Sequence, residues 1–192
     1  MLLIRPLVSS DQAFLWDALH VALWDPPPAP LRPRELLQDP HVRIYAEDWG
    51  RVGDLGLVAV PDGEERPVGA CWMRRLQGGV GFGYVDDATP QLGIAVLPTF
   101  QGRGLGRRLM AEALSAAWAE GIRQVALTVH PANPARRLYE HFGFRTVEFR
   151  RTFHLMLASA PSVGGAGLGE GSPNADPTRP GLEVRRGPLP AL

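Results

Sequence analysis

The feature that most limits how this chain can fold is Gln101-Gly102-Arg103-Gly104-Leu105-Gly106, a glycine-rich turn set between two different periodicities. Upstream, Leu92-Gly93-Ile94-Ala95-Val96-Leu97 is an apolar run long enough for a buried strand and too short for a helix, and Pro98 stops it. Downstream, Leu105, Leu109, Met110, Ala113, Leu114, Ala117 and Trp118 recur at three- and four-residue intervals. That spacing predicts a helix of about four turns, ended by Gly121. A strand that turns through glycines into a helix leaves several backbone N–H groups unpaired before the positive end of the helix dipole. Without a Cβ, Gly104 and Gly106 let a bulky group approach the backbone and let the chain take dihedrals that other residues avoid. Arg103, Arg107 and Arg108 add full positive charge. The dipole contributes only about 0.3–1 kcal/mol per favourable charge, so amide hydrogen bonds and arginines must supply most of the affinity for an anion. The ligand predicted is a pyrophosphate, with an ordinary tight turn as the alternative for the two glycines.

Two common nucleotide sites fail against this stretch. A P-loop ends in Gly-Lys-Ser/Thr, absent here, and no magnesium-binding constellation lies beside the turn. The dinucleotide pattern Gly-x-Gly-x-x-Gly, begun at Gly102 or Gly104, breaks at Arg107 or Leu109.

Gln-x-x-Gly-x-Gly after Ile-Ala-Val-x-Pro, followed by Asn133-Pro134-Ala135-Arg136-Arg137-Leu138-Tyr139-Glu140-His141-Phe142-Gly143-Phe144, resembles the GCN5-related N-acetyltransferases. The resemblance covers roughly residues 54 to 157. It implies an α/β fold: a mixed, mostly antiparallel central sheet with splayed parallel strands in its middle, flanked by helices. The bound cosubstrate it implies is acetyl-CoA, with no metal. In such proteins the pantetheine arm adds to a sheet edge through main-chain hydrogen bonds, which the resemblance assigns to Ile94, Ala95 and Val96. The pyrophosphate would fall to Gln101, Gly102, Arg103, Gly104, Leu105, Gly106 and Arg107. Asn133 would hold the arm, cap its helix, or do both.

Acetyl transfer from a thioester to an amine requires a neutral amine, a stabilised oxyanion and a proton for the leaving thiolate. By resemblance, a main-chain amide near Val96 polarises the carbonyl and Tyr139 protonates the sulfur, with no covalent enzyme intermediate. Packing under the sheet is the alternative for Tyr139. Related sequences place a glutamate where Gln91 stands, and an amide cannot take a proton. Asp86 and Asp87 are then the nearest candidates for a base, with His130 and Glu148 behind them. Each has the alternative of a solvated loop or edge residue. Ribosomal-protein N-terminal acetyltransferases in the family use a glutamate on the following strand, but residues 125–129 hold no carboxylate, which argues against that substrate class.

Elsewhere, Leu2, Ile4 and Leu7 predict a short strand, and Phe14, Leu15, Ala18, Leu19, Ala22 and Leu23 predict a helix stopped by Asp25-Pro26-Pro27-Pro28. The stiff run to Pro33 leads to a short helix over 34–38. By resemblance, Trp16, Trp24 and the Pro-rich loop border the acceptor, unless both tryptophans only cover the sheet. Residues 55–60 and 67–75 predict an antiparallel hairpin, 76–90 a glycine-rich loop, and 125–129 a strand parallel to 92–97 across a helical connection. A helix over 133–142 and a hairpin over 144–157 close the domain at residue 157. Thirteen of the last thirty-five residues are Gly or Pro, which predicts a disordered tail over 158–192.

Twenty basic and twenty acidic residues cancel, which argues against a general nucleic-acid binder. The single cysteine, Cys71, cannot form an internal disulfide, and no Cys/His spacing suggests zinc. No run approaches the roughly 18 apolar residues of a membrane span, and residues 1–6 are too short for a signal-peptide core. The expected setting is cytoplasmic, without a membrane partner, and a homodimer is compatible with the sequence. The leading expectation is acetyl transfer to the amine of a small molecule. An acyl-CoA-binding sensor without catalysis, and a protein lysine or N-terminal acetyltransferase, are the alternatives.

Overall fold

The computed structural model describes residues 2–161. Its seven strands are β1 (Leu2–Pro6), β2 (Leu55–Pro61), β3 (Gly69–Arg74), β4 (Gln91–Val96), β5 (Gln124–Val129), β6 (Arg145–Arg150) and β7 (Phe153–Ser159). They form one open sheet in the order β1-β2-β3-β4-β5-β7-β6. Every neighbouring pair is antiparallel except β4 and β5, the mixed, mostly antiparallel arrangement expected above. Residues 2–6 form an edge strand, and the 55–75 hairpin pairs from Leu55 opposite Met73 to Ala59 opposite Gly69.

Helices cover the two faces. The stripe of the long helix α3 (Leu105–Ala119) buries Leu105, Leu109, Met110, Ala113, Leu114 and Ala117 in one core with Cys71, Met73, Leu127 and Met156. Helix α1 (Gln12–Ala22) buries Phe14, Leu15, Ala18 and Leu19 in a second core on the other face, with Val58, Trp72 and Ala95. Each such large aliphatic or aromatic side chain contributes about 1.5–3 kcal/mol when removed from water. Gly93 sits in the middle of β4 because Trp72 crosses it: a Cβ there would meet the indole at 2.4 Å.

A 3₁₀ turn over Arg34–Gln38 precedes a four-residue helix, α2 (Pro40–Arg43), capped by Asp39, whose carboxylate accepts from the His41 N–H. The loop after α2 is held by a buried charge. Arg74 on β3 forks onto Asp54 at 2.8 and 2.6 Å and donates to the carbonyls of Ile44 and Glu47 at 2.9 and 2.6 Å. Both charged side chains are almost fully enclosed, so removal of one would strand the other at a cost of about 3–5 kcal/mol.

The last helix is shorter than expected. Asn133, Pro134 and Ala135 make a turn of their own: the Asn133 side chain accepts from the Ala135 N–H at 2.9 Å and its carbonyl accepts from Arg136 at 3.1 Å. The helix proper, α4, runs over Arg136–His141. At the other boundary, β7 continues to Ser159, with Ala158 buried opposite Val125 and the Ala160 N–H donated to Arg123. Residues 158–161 of the expected tail therefore belong with the domain, and 162–192 lie outside the described residues.

Candidate active site

The site begins where the parallel pair opens. β4 and β5 share one register pair, Gln91 opposite Ala126, and the Ala126 N–H is donated to the Pro90 carbonyl at 3.0 Å. The Leu97 N–H is donated to Val68 on the β3 side. By the alternation of an antiparallel ladder, Gly93 and Ala95 then also turn their main-chain groups to β3, while Ile94 and Val96 turn theirs toward β5. Past Gln91, β5 does not pair with them. Of the three residues assigned to the pantetheine arm, Ile94 thus presents an unpaired amide and carbonyl and Val96 an unpaired amide, its carbonyl being taken by the Gln101 side chain. Ala95 lines the slot, but its amide and carbonyl belong to the β3–β4 ladder.

The slot is a cavity of about 340 Å³, walled by Ile94, Ala95, Val96 and Phe100 on one side and by Asn133, Leu138 and Tyr139 on the other. Gln101, Gly102, Gly104, Leu105 and Gly106 close one end. There the Gln101 N–H is spent on Pro98 and its side chain donates to the Val96 carbonyl at 2.8 Å. The N–H groups of Gly102 through Arg107 make no hydrogen bond among the described residues, the first helical bond being Arg108 N–H to Gly104. The left-handed glycines are Gly102 (φ +74°) and Gly104 (φ +77°). Gly106 lies in the first turn of α3, and a Cβ there would meet only ordinary contacts with Leu138 and Val96. Its part is to leave the slot open rather than to turn the chain. Arg103 and Arg107 are exposed and do not line the wall; Arg103 lies over the Phe100 ring at 5.6 Å, and Arg108 is directed to Glu112 and the Leu2 carbonyl.

A second cavity, of about 130 Å³, adjoins the first. Ala22, Trp24, Ile94, Asn133 and Tyr139 line both, so Tyr139 stands at the junction. Its ring meets Phe144 at 6.1 Å, its hydroxyl has no hydrogen-bond partner among the described residues, and burial pushes its pKa well up. Such a phenol stays protonated and has a proton to give. Trp24 reaches this junction from the end of α1, tilted against His130 with ring centres 5.9 Å apart. Trp16 lies elsewhere, in a shallow crevice with Arg34 and Leu37. The Pro-rich loop that carries Trp24 is closed by Arg32 forking onto Asp25 at 2.6 and 2.7 Å, and His20 donates to the Arg32 carbonyl at 2.7 Å.

The far wall of this chamber is built around Gln91. Its Oε1 accepts from the Tyr45 hydroxyl at 2.7 Å and the Gly83 N–H at 2.8 Å, and its Nε2 donates to the Val80 carbonyl at 2.9 Å. Tyr45 in turn accepts from the Phe82 N–H, and Arg150 on β6 donates to the carbonyls of Phe82 and Tyr84. A glutamate at position 91 could not donate to Val80, which explains the amide. Sequence reasoning treated Gln91 only as a missing base; nothing in its neighbourhood along the chain announces Tyr45 or Val80.

The acidic candidates are not brought to the site. Asp86 accepts from the Ala88 and Thr89 N–H groups, and Asp87 from the Gly78 N–H and the Tyr84 hydroxyl; neither lines either cavity. Both serve their own loop, and the Gly78 N–H first, then the Tyr84 hydroxyl, hold Asp87 below the usual carboxylate range. Glu148 is paired with Arg150 at 3.0 Å and also stands away from the cavities. His130 alone of the four lines the chamber, its Nδ1 accepting from the Ala132 N–H at 3.1 Å. Among the described residues, no group of three or more His, Cys, Asp or Glu is placed to hold a metal, and no helix is long and apolar enough to cross a membrane.

A slot with free amides at one end thus opens into a side chamber, with Tyr139 lining both. Residues 16–144 match the acetyltransferase (GNAT) family, and the chain belongs to that family. It is 37% identical over 70 residues to a [ribosomal protein bS18]-alanine N-acetyltransferase of Haemophilus influenzae, covering 36% of this chain and 47% of that protein. It is 38% identical over 112 residues to a mycothiol acetyltransferase of Beutenbergia cavernae, covering 58% of this chain and 34% of that protein. The chain thus spans less than half the length of either relative. Among solved structures, the fold is similar to YncA of Salmonella typhimurium with its cofactor acetyl-CoA, at a TM-score of 0.60 and 19% identity, over 85% of this chain and 96% of that one.

Proposed function

We propose that this protein transfers the acetyl group of acetyl-CoA to the primary amine of a small molecule by direct attack. The observation that carries the reading is the continuity of the two cavities at Tyr139. The free N–H groups of Gly102–Arg107 hold the pyrophosphate, with Arg103 and Arg107 at its exposed side. The unpaired main-chain groups of Ile94 and the N–H of Val96 take the pantetheine arm as an added strand, and the Asn133 amide supports it. The Val96 end of β4 polarises the thioester carbonyl. The amine nitrogen attacks from the chamber, the C–N bond forms, the C–S bond breaks, and Tyr139 gives its proton to the sulfur. The proton lost by nitrogen restores Tyr139, so a neutral amine and a thioester become an amide and a thiol with no net proton change.

Incubation with acetyl-CoA and a library of amines, with free thiol followed over time, tests this directly. Turnover is expected with at least one amine; none would end the reading. All twenty basic residues are arginine, so no lysine of the chain itself can act as an acceptor and release thiol. One observation favours a second reading, an acyl-CoA-binding module without catalysis: no carboxylate lines the chamber. Calorimetric binding of acetyl-CoA with every amine inert would select it.

A further inference from the structure

The walls of the chamber bear on which amine can enter it, a question that rests on the acetyltransferase reading above. Leu19, Leu23, Trp24, Val42, Phe82 and Phe153 make the surface rich in carbon. Tyr45, Tyr139 and His130 are its titratable side chains; no Asp, Glu or Arg lines it. The charged groups nearby are engaged elsewhere. Asp25 is forked by Arg32, Glu148 is paired with Arg150, and Arg150 also serves the Phe82 and Tyr84 carbonyls. Tyr45 and Gln91 satisfy one another and the 80–83 loop.

An ammonium brought into this chamber finds no counter-charge on its lining, the Asp25 carboxylate that acts on His130 from outside being already forked by Arg32, and loss of water disfavours its charged form. No carboxylate stands ready to take its proton either. The acceptor must therefore arrive neutral. Near pH 7.5 an alkyl amine with a pKa of about 10.4 is neutral in roughly one molecule per thousand, whereas an α-amine at about 7.7–8.0 is neutral in roughly one of three. A second cation on the same molecule would have nothing to pair with. The volume, about 130 Å³, is near that of a cavity able to hold a benzene ring, about 150 Å³.

One donor on this wall is unspent. Because the His130 Nδ1 accepts from the Ala132 N–H, the ring carries its N–H on Nε2. Nε2 has no hydrogen-bond partner among the described residues. A fixed N–H donor on the chamber wall suits a carbonyl oxygen of the acceptor.

We propose that the acceptor is a weakly basic primary amine α to a carbonyl, on a single apolar body without a second cation, and that the His130 Nε2–H donates to that carbonyl. The transfer balances as written above, with Tyr139 exchanging one proton and no protein carboxylate involved.

Thiol release by the full chain with acetyl-CoA at pH 7.5 compares three probes. Leucinamide has the α-carbonyl, isoamylamine the same apolar body without it, and cadaverine a second ammonium. The kcat/KM for leucinamide should exceed that for isoamylamine by about 10²-fold or more, with cadaverine lowest. Its pH profile should rise and level at the titration of leucinamide itself. His130→Ala should raise the leucinamide KM more than it lowers kcat, and His130→Gln, which keeps an N–H donor, should recover most of the loss. Equal or better use of isoamylamine or cadaverine, or a leucinamide KM indifferent to His130→Ala, overturns this proposal while leaving acetyl transfer in place. Absence of thiol release with these probes and with every amine of the library removes acetyl transfer itself, and the proposal with it.

Discussion

The slot between β4 and β5 and the chamber beside it meet at Tyr139 but are made of different material. The slot presents main chain: free N–H groups at Gly102–Arg107 and the unpaired edge at Ile94 and the Val96 N–H. The chamber presents side chains, drawn from α1 and the residues after it, α2 and the loop after it, β3, the 80–83 loop, β4, the end of β5, α4 and β7. On the function proposed, main-chain donors recognise what every cosubstrate molecule has in common, so a local turn suffices to build them. The chamber's side chains, on the same proposal, recognise one acceptor, and only the folded sheet brings such scattered segments together. The slot should therefore tolerate changes in the chamber, and the chamber changes in the slot, except at the tyrosine they share.

Substitution of that shared residue should have the largest effect. Tyr139→Phe removes the proton donor while keeping the ring against Phe144, so kcat should fall by roughly 10²- to 10⁴-fold, with coenzyme A affinity by calorimetry little changed. A fall of less than about threefold would take the phenol out of the chemistry and leave the two cavities joined by packing alone.

The next largest effect tests the chamber. Gln91→Leu leaves the Tyr45 hydroxyl and the Gly83 N–H buried without their acceptor, at about 1–3 kcal/mol for each. Denaturant unfolding should show that loss, and KM for the acceptor should rise while coenzyme A binding holds. Gln91→Glu should not restore a base, because its carboxylate would face the Val80 carbonyl that Gln91 now serves as donor. Equal weakening of coenzyme A binding by Gln91→Leu would mean that the two regions are not separable.

This division also accounts for what could be read from the residues in advance. The 92–97 strand, the glycine turn and the 105–119 helix follow from short-range periodicity and backbone freedom, and they are where the slot lies. Tyr139 sits inside a motif. Gln91, by contrast, draws its role from Tyr45, 46 positions away, and no spacing rule reaches that far. Asp86 and Asp87 looked available because their partners, loop N–H groups and Tyr84, are decided by how the loop curls. Trp72 explains Gly93 only once β3 and β4 are paired. The short helix at Pro40–Arg43 was within reach: Asp39 followed by Pro40 is an ordinary cap and first position.

A smaller effect is expected at the turn itself. Gly104→Val places a β-branched residue at φ +77°, where a left-handed conformation costs about 1–2 kcal/mol. If the turn gives way, coenzyme A affinity should fall by about tenfold for each 1.4 kcal/mol, with the acceptor KM unmoved. Calorimetry and steady-state kinetics on one preparation separate these. An acceptor KM that moved with the coenzyme A affinity would show the turn and the chamber to be mechanically linked.

The smallest effect concerns the border between the regions, where Trp24 lines both. Its loop is closed by Asp25 and Arg32, about a quarter exposed on each side, so the pair contributes under about 1 kcal/mol. Asp25→Asn should lower the melting temperature at pH 7 by no more than about 2–4 °C. The hydrogen-bonded Arg32 guanidinium holds the Asp25 carboxyl below the usual carboxylate range. A carboxylate depressed in this way stabilises the fold above its unfolded pKa of about 3.9 and ceases to do so as pH falls through the depressed value. The difference in melting temperature between the two proteins should therefore be full at pH 7 and shrink as pH drops below about 4. Acceptor KM should rise severalfold in Asp25→Asn as Trp24 loses its anchored loop, while coenzyme A affinity shifts less, because the slot's other contacts are main chain. A difference that persists undiminished at low pH would assign the effect to packing of the Asn side chain rather than to the ion pair, and Trp24 would then be held by the His20 bond to Arg32 alone.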